Sequence, residues 1–139
     1  FEEVVAQVES YIDNQTTYFV LENLETLRKN GRMSKTKALV ASALNIKPVL
    51  GSTDEGTICQ RDQARGINKA LVKMVNLALS EATDLKEKTV AISHCNCPER
   101  AQIVKEAIQE RSDAKEVLVL DTAGVSSMYA NDGGIILVI

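Results

Sequence analysis

With 139 residues, a hydrophobic fraction of 45% and a formal net charge of -3, the chain has the composition of one globular domain. Its 16 basic and 19 acidic residues are interspersed, which argues against a basic surface for nucleic acid. No run approaches the roughly 20 apolar residues that a membrane span needs, and we recognise no signal peptide, so we expect a soluble, cytoplasmic protein.

Residues 1–15 predict a helix, which we expect to be a connector from a preceding domain. An apolar stripe recurs there at helical spacing through Val4, Val5, Val8, Tyr11 and Ile12. Thr16–Leu21 is rich in β-branched and aromatic residues and predicts a strand. A short helix bearing Leu24 and Leu27 should end at Gly31, because glycine readily adopts the left-handed conformation that closes a helix.

A second helix and a hairpin are expected next. Ser34 is a candidate N-cap for a helix that carries small residues from Ala38 to Ala43. Ile46–Leu50 predicts a strand, and Pro48 indicates a strand start or an edge because proline has no N–H to donate. The turn-rich residues 51–56 and the extended pattern of Thr57–Gln60 complete a predicted β-hairpin.

The second half of the chain alternates helices with apolar strands. Residues 66–83 carry the clearest helical stripe, and Pro98 indicates the first turn of another helix. We predict strands at Thr89–Ser93, Glu116–Leu120 and Ile135–Ile139, the last of them central because it is apolar throughout. Thr122–Gly134, rich in glycine and serine, reads as a functional or plain surface loop. This order predicts an α/β fold, a mixed sheet covered by helices.

The single histidine and the cysteines beside it are candidates for metal or acid–base chemistry. Zinc needs four ligands, usually from two separated clusters, whereas His94, Cys95 and Cys97 form one cluster, so we predict no metal site. An odd count of 3 cysteines also argues against a disulfide framework. His94 follows an apolar strand and is either an acid–base group or a hydrogen-bonded structural residue, and we favour the second interpretation.

Two arginines are candidates for binding anionic groups. Arg32 follows the helix-ending glycine, so its guanidinium should project from a defined loop and suit a carboxylate or phosphate. The alternative is a structural arginine that binds the carbonyls of the helix end. Arg65 lies beside Lys69 and Lys73 in a modest positive strip, which suits an acidic partner or is an ordinary solvated face.

Several motifs together resemble those of the DegV family of bacterial fatty-acid-binding proteins, which can serve as the lipid-carrying subunit of a fatty acid kinase. They are Phe19-Val20-Leu21, Leu24-x-x-Leu27-Arg28-Lys29-x-Gly31-Arg32-Met33-Ser34 and Leu44-Asn45-Ile46-Lys47-Pro48-Val49-Leu50. The match continues through Arg65-Gly66, Ile92-Ser93-His94 and the final glycine segment. It covers the whole chain but resembles only the C-terminal half of such proteins.

The resemblance implies a small α/β domain beside a separate parallel-sheet domain. A long-chain fatty acid such as palmitate would lie in an apolar tunnel at the domain junction, with its carboxylate presented to a partner kinase and without a cofactor. Arg32 would face the ligand cleft. In the glycine-rich ligand segment, Ala130 stands where the family usually has a carboxylate-binding histidine. Substitute head-group contacts would come from Asn131, Ser126 or Ser127.

Two other classes of function remain open beside this non-catalytic carrier. The DegV architecture is similar to the substrate half of dihydroxyacetone kinases, where a histidine can hold a small carbonyl substrate, and only His94 could serve here. A pure interaction module is the third class. The chain has no G-x-x-x-x-G-K-[ST] loop and so shows no phosphate-transfer site of its own. The ligand that copurifies with the longer parent protein would separate the three classes.

Overall fold

The predicted apolar strands join a single sheet in a computed structural model, which describes residues 1–33 and 45–139. The helices of these ranges are α1 (Glu2–Asp13), α2 (Glu25–Lys29), α3 (Ile67–Glu81), α4 (Pro98–Gln109) and α5 (Gly124–Ala130). The strands are β1 (Thr17–Val20), β2 (Ile46–Ser52), β3 (Ile58–Arg65), β4 (Thr89–His94), β5 (Glu116–Asp121) and β6 (Ile135–Val138). The predicted α/β fold with a mixed sheet is therefore confirmed.

The strand order across the sheet is β3-β2-β1-β6-β4-β5. Only β4 and β5 run parallel among the paired strands of the described ranges, because α4 carries the chain back between them, whereas the other pairs are antiparallel. The last strand, β6, lies between β1 and β4, as its continuous apolar sequence predicts.

The larger core lies between one face of the sheet and helices α3 and α4. Alternate strand residues point into it, since side chains on a strand alternate between the two faces. The two helices contribute the stripes that their sequences predict. These core residues include Tyr18, Val20, Val90, Ile92, Ile135 and Leu137 from strands, with Ala70, Leu71, Met74, Val75, Ala78, Ala101, Val104 and Ile108 from helices.

Among the described elements, the opposite face of the sheet is covered by the two shorter helices α2 and α5. A smaller core of Leu21, Leu24, Leu27, Leu50 and Ala130 forms there, with strand residues such as Phe19 and Ile136 packed against it. Within the described ranges, α2 and α5 leave a space between themselves and this face, and the candidate site lies in that space.

Two sequence predictions need correction. The segment Thr122–Gly134 is not a loop throughout, since α5 occupies Gly124–Ala130. The glycine and serine content hid this helix, which is held by burial of Ala130 and partial burial of Tyr129 against the smaller core. The hairpin strand β3 also continues beyond Gln60 to Arg65, because its ladder with β2 persists to Ile46.

Pro48 stands near the start of β2, an interior strand. Neighbouring β1 pairs only with Leu50 and Gly51, so Pro48 interrupts no ladder on that side. The predicted N-cap at Ser34 and the helix that follows it lie outside the described residues.

Helix α1 forms as predicted, but none of its residues is buried. Its apolar stripe is exposed, with Val4 61%, Tyr11 66% and Ile12 58% accessible to solvent. An apolar stripe of this kind is usually stable only against another surface. Within residues 1–33 and 45–139, no helix is long and apolar enough to cross a membrane.

Candidate functional site

A cavity of about 680 Å³ opens between α5, the end of α2, the β2–β3 turn and the sheet face that α2 and α5 cover. Its lining comes from chain segments that are far apart in the sequence. The lining residues are Thr17, Phe19, Leu21, Leu27, Gly31, Arg32, Glu55, Gly56, Thr57, Ile58, Val125, Ser126, Tyr129, Ala130 and Ile136.

The lining combines apolar walls with a few polar groups. Phe19, Leu21 and Ile136 come from the sheet face and its continuation, and Leu27 and Tyr129 come from the helices above it. The polar members are hydroxyls and two opposite charges, on Arg32 and Glu55. Among the described lining residues, apolar walls with one cationic side chain, that of Arg32, suit an elongated apolar molecule that has an anionic end.

The backbone at Arg32 is held by the way α2 ends. Gly31 has a φ of +69°, and its N–H donates to the Arg28 carbonyl at 3.1 Å while the Arg32 N–H donates to the Leu27 carbonyl at 2.8 Å. This pair of bonds is a Schellman motif, which occupies the carbonyls at the helix end with backbone donors. It fixes the backbone of Arg32 at the edge of the cavity.

Four predicted ligand residues lie in α5 or directly after it, and two of them reach the cavity. Ser126 and Ala130 are lining residues. Ser127, which is outside the lining, exchanges a hydrogen bond with the Thr122 hydroxyl at 2.8 Å. The Asn131 amide is also engaged within the chain, accepting from Thr26 Oγ1 at 3.1 Å and donating to the Tyr129 carbonyl at 3.1 Å. The ligand roles of all four residues stay predictions.

Close packing of the backbone holds the end of α5 over the start of β6. A Cβ atom added at Gly134 would lie 2.5 Å from the carbonyl oxygen of Ala130. Only glycine permits this approach, which explains one of the two glycines after α5. Ala130 is 2% exposed, so any larger residue there must extend into the cavity.

A charged cluster that sequence analysis missed lies behind these walls. Glu22 accepts hydrogen bonds from Arg100 Nη2 at 2.5 Å and forms an ion pair with Lys47 Nζ at 2.9 Å. Arg100 Nη1 also donates to the Gly133 carbonyl at 2.9 Å. Burial would raise the pKa of Glu22, but the bonds from Lys47 and Arg100 outweigh it and hold that pKa below its usual value. The sequence signal that could have indicated this cluster is the position of Glu22, an acidic residue just after the apolar strand segment that ends at Leu21.

His94 and Cys97 are buried and make contacts within the fold. The buried imidazole accepts a bond at Nδ1 from the Cys97 N–H at 3.3 Å, and its Nε2 lies 3.4 Å from Asp121 Oδ1. Burial raises the pKa of the Cys97 thiol, which disfavours the reactive thiolate. In the described ranges, no group of three His, Cys, Asp or Glu residues could hold a metal ion.

Arg65 lies apart from the cavity, in a groove at the start of α3. The other lining residues of that groove include Asn45, Lys47, Asn68 and Lys69. Lys73, which the sequence grouped with Arg65, instead forms an ion pair with Asp62 at 2.8 Å. The positive strip is therefore shorter than the sequence indicates.

Residues 1–139 match the family model described as "Uncharacterised protein, DegV family". A DegV domain-containing protein of Streptococcus pyogenes is 32% identical over 137 residues, which are 99% of this chain and 48% of that protein. The chain thus spans about half the length of the curated relatives it matches.

Two solved structures are similar over 99% of the chain. The crystal structure of a DegV family protein from Ruminococcus gnavus, refined with vaccenic acid, has a TM-score of 0.91 and 54% identity, with 49% of its chain covered. The Fatty Acid Kinase (Fak) B3 protein of Streptococcus pneumoniae, loaded with linoleic acid, has a TM-score of 0.88 and 28% identity, with 48% covered.

Proposed function

The chain belongs to the DegV family, and from that premise we propose that it is the cavity-bearing C-terminal domain of a two-domain fatty-acid carrier. Residues 1–15 would be the helix that connects it to the other domain. The exposed apolar stripe of α1 supports this arrangement, because a second domain would cover it. Coverage of about half of the similar structures supports it independently.

The main observation in favour of a fatty acid as the ligand is the cavity with its apolar walls. Its volume of about 680 Å³ falls within the range usual for small-molecule sites. Burying an alkyl chain contributes about 0.8 kcal/mol per methylene, so ~14 methylenes contribute ~11 kcal/mol before the costs of binding. Bound vaccenic and linoleic acids in the two similar structures agree with a long-chain acid as the ligand.

We assign the carboxylate to the polar part of the lining. Arg32 can donate two parallel hydrogen bonds to a carboxylate, and the Ser126 hydroxyl can donate a third. Ala130 would contribute a methyl group to the wall, where the family usually has a histidine. Ser127 and Asn131 would act indirectly, because their polar groups bind within the chain and hold α5 in place.

The carrier is proposed to act without catalysis and to present the acid to a partner kinase. Arg65 and Lys69 offer a small positive surface for an acidic region of that partner. Structural similarity to the Fatty Acid Kinase (Fak) B3 protein supports this proposed role as a partner of a kinase. Arg65 lies outside the cavity lining, so it can contact a partner while the ligand is bound.

Mass spectrometry of whatever copurifies with the full two-domain protein tests the class of ligand. A long-chain fatty acid supports the carrier, whereas a small polar ligand supports a kinase-like enzyme and the absence of any ligand supports an interaction module. A titration with vaccenic acid then locates the site. Ser126→Trp should block binding by filling the cavity, whereas Met128→Trp, on the same helix but outside the lining, should not. Equal affinities of both variants would refute this location.

A further inference from the structure

The guanidinium group of Arg100 contacts two chain segments that lie next to lining residues of the cavity. The first follows β1, where Leu21 lines the cavity and the next residue, Glu22, accepts from Arg100 Nη2 at 2.5 Å. The second joins α5 to β6, where the Gly133 carbonyl accepts from Arg100 Nη1 at 2.9 Å. Arg100 itself belongs to α4 and does not line the cavity.

The connection between α5 and β6 is bonded at each of three successive residues. Asn131 accepts from Thr26 Oγ1 at 3.1 Å, and Asp132 accepts from Asn96 Nδ2 at 2.7 Å. The Gly133 N–H also donates to the Cys95 carbonyl at 2.8 Å. Neighbouring residues on both sides of this connection, Ala130 and Ile136, line the cavity, so a shift here would move two of its walls.

Lys47 completes the cluster from β2. Its ammonium group lies 2.9 Å from Glu22 Oε2 and donates to the Glu22 carbonyl at 2.5 Å. The three charged side chains are 17–32% exposed, so bulk water screens their contacts only partly. Glu22 is therefore held from two directions, and Arg100 transmits that fixed position to Gly133.

Packing at Gly133 shows how close this contact is. Gly133 has a φ of +83°, and a Cβ added there would lie 2.6 Å from Arg100 Nη1 and 2.8 Å from Glu22 Cγ. A side chain at this position would have to displace the Arg100 and Glu22 side chains, so the bridge requires glycine at position 133.

We propose that Arg100 and Glu22 are positioning residues for the ligand, which hold the β1–α2 and α5–β6 connections at the separation that the cavity needs. The inference rests on the proposed fatty-acid function for its ligand. It differs from that function in assigning affinity to residues that do not touch the ligand. A lysine at position 100 could pair with Glu22 but could not bridge both segments with a planar fork.

The test compares Arg100→Met with Arg61→Met in the full two-domain protein, using vaccenic acid as the probe. Arg61 is a matched control because it also forms an ion pair with a glutamate, Glu81, at 2.7 Å, and its side chain is 30% exposed compared with 28% for Arg100. It contacts the Tyr18 ring on the other side of the sheet and does not line the cavity.

We expect Arg100→Met to weaken affinity about tenfold, mainly through faster dissociation, because the loss of a charged hydrogen-bond bridge lets the wall move. Arg100→Lys should recover part of that loss, and Arg61→Met should leave affinity within about twofold. Thermal unfolding should show similar loss of stability for both methionine variants. Amide exchange of residues 130–135 should accelerate only in Arg100→Met.

Equal affinity losses in the two methionine variants, or no loss in either while the parent binds the acid, would overturn the positioning role alone. Unchanged exchange of residues 130–135 in Arg100→Met would overturn it whatever the ligand result. Failure of the parent protein to bind any long-chain acid would instead overturn the proposed function, and the ligand role of the bridge with it. If Arg100→Met does not fold, Arg100→Lys against the parent provides the same comparisons.

Discussion

Replacing Tyr18 with phenylalanine removes one buried hydroxyl from the larger core. The Tyr18 ring is 1% exposed, and its hydroxyl donates to Glu81 Oε2 at 2.5 Å. Arg61 binds the same carboxylate at 2.7 and 2.9 Å and lies 5.9 Å from the centre of the Tyr18 ring. The variant therefore leaves Glu81 with its stronger partner and fills the same core volume.

The expected loss follows from these contacts. A hydrogen bond to a charged group contributes about 1.5–3 kcal/mol, and the lower end applies because Glu81 keeps Arg61 and is 37% exposed to water. For a chain of 139 residues, a loss of about 1.5 kcal/mol lowers the melting temperature by about 5 °C. Urea unfolding followed by circular dichroism near pH 8 measures the same difference.

The pH dependence gives a sharper test of the same contact. Burial, and then the Glu81 carboxylate, raise the pKa of Tyr18 well above its ordinary value of 10.0. Above pH 10 the unfolded tyrosine loses its proton while the folded one keeps it, so stability falls by up to about 1.4 kcal/mol per pH unit. The phenylalanine variant lacks this loss. Its deficit should therefore be full below pH 10 and shrink above it.

Unfolding curves of both proteins at pH 8, 9.5 and 10.5 decide the matter, because the other ionisable groups are common to both and cancel in the difference. A deficit that stays constant or grows between pH 9.5 and 10.5 would refute the buried, carboxylate-bound hydroxyl. A deficit near zero at every pH would show that Glu81 gains nothing from Tyr18.

Three other expectations concern the cavity. Gly133→Ala should destabilise the chain by about 1–3 kcal/mol in denaturant unfolding, because its φ is +83° and the added Cβ meets Arg100; wild-type stability would contradict this. Ala130→His in the two-domain protein should tighten fatty-acid binding about ten- to a hundredfold near pH 5–6, where imidazolium and carboxylate are both charged; unchanged affinity from pH 5 to 8 would show that the loop alignment is wrong. Residues 1–139 alone should bind palmitate weakly, since a junction cavity lacks one wall there, and tight one-to-one binding by calorimetry would refute the shared cavity.

Most secondary structure was predictable because its signals are local. The apolar runs at β4, β5 and β6 and the stripe of α3 depend only on neighbouring residues, and each element appears where its pattern places it. Helix α5 was missed for the same reason. Its glycine and serine residues favour a loop locally, whereas the helix is held by Ala130 and Tyr129 packing against leucines from distant segments.

The candidate site shows the limit of local signals more clearly. Gly31 indicates from the sequence that α2 ends just before Arg32. Nothing in the sequence shows that Ser126 lines the same cavity as Arg32 while the adjacent Ser127 does not. Successive residues on a helix point about 100° apart, so the choice between them depends on how α5 lies on the sheet.

The sequence by itself determined that the chain adopts an α/β fold with a mixed sheet and that α1 has an apolar stripe. Both follow from the spacing of apolar residues that are close in the sequence, which differs between helices and strands. Tertiary structure alone decided that this stripe stays exposed in the described chain and that Glu22 meets Arg100. Contacts between residues 78 positions apart depend on the order in which strands pair, which local preferences do not encode.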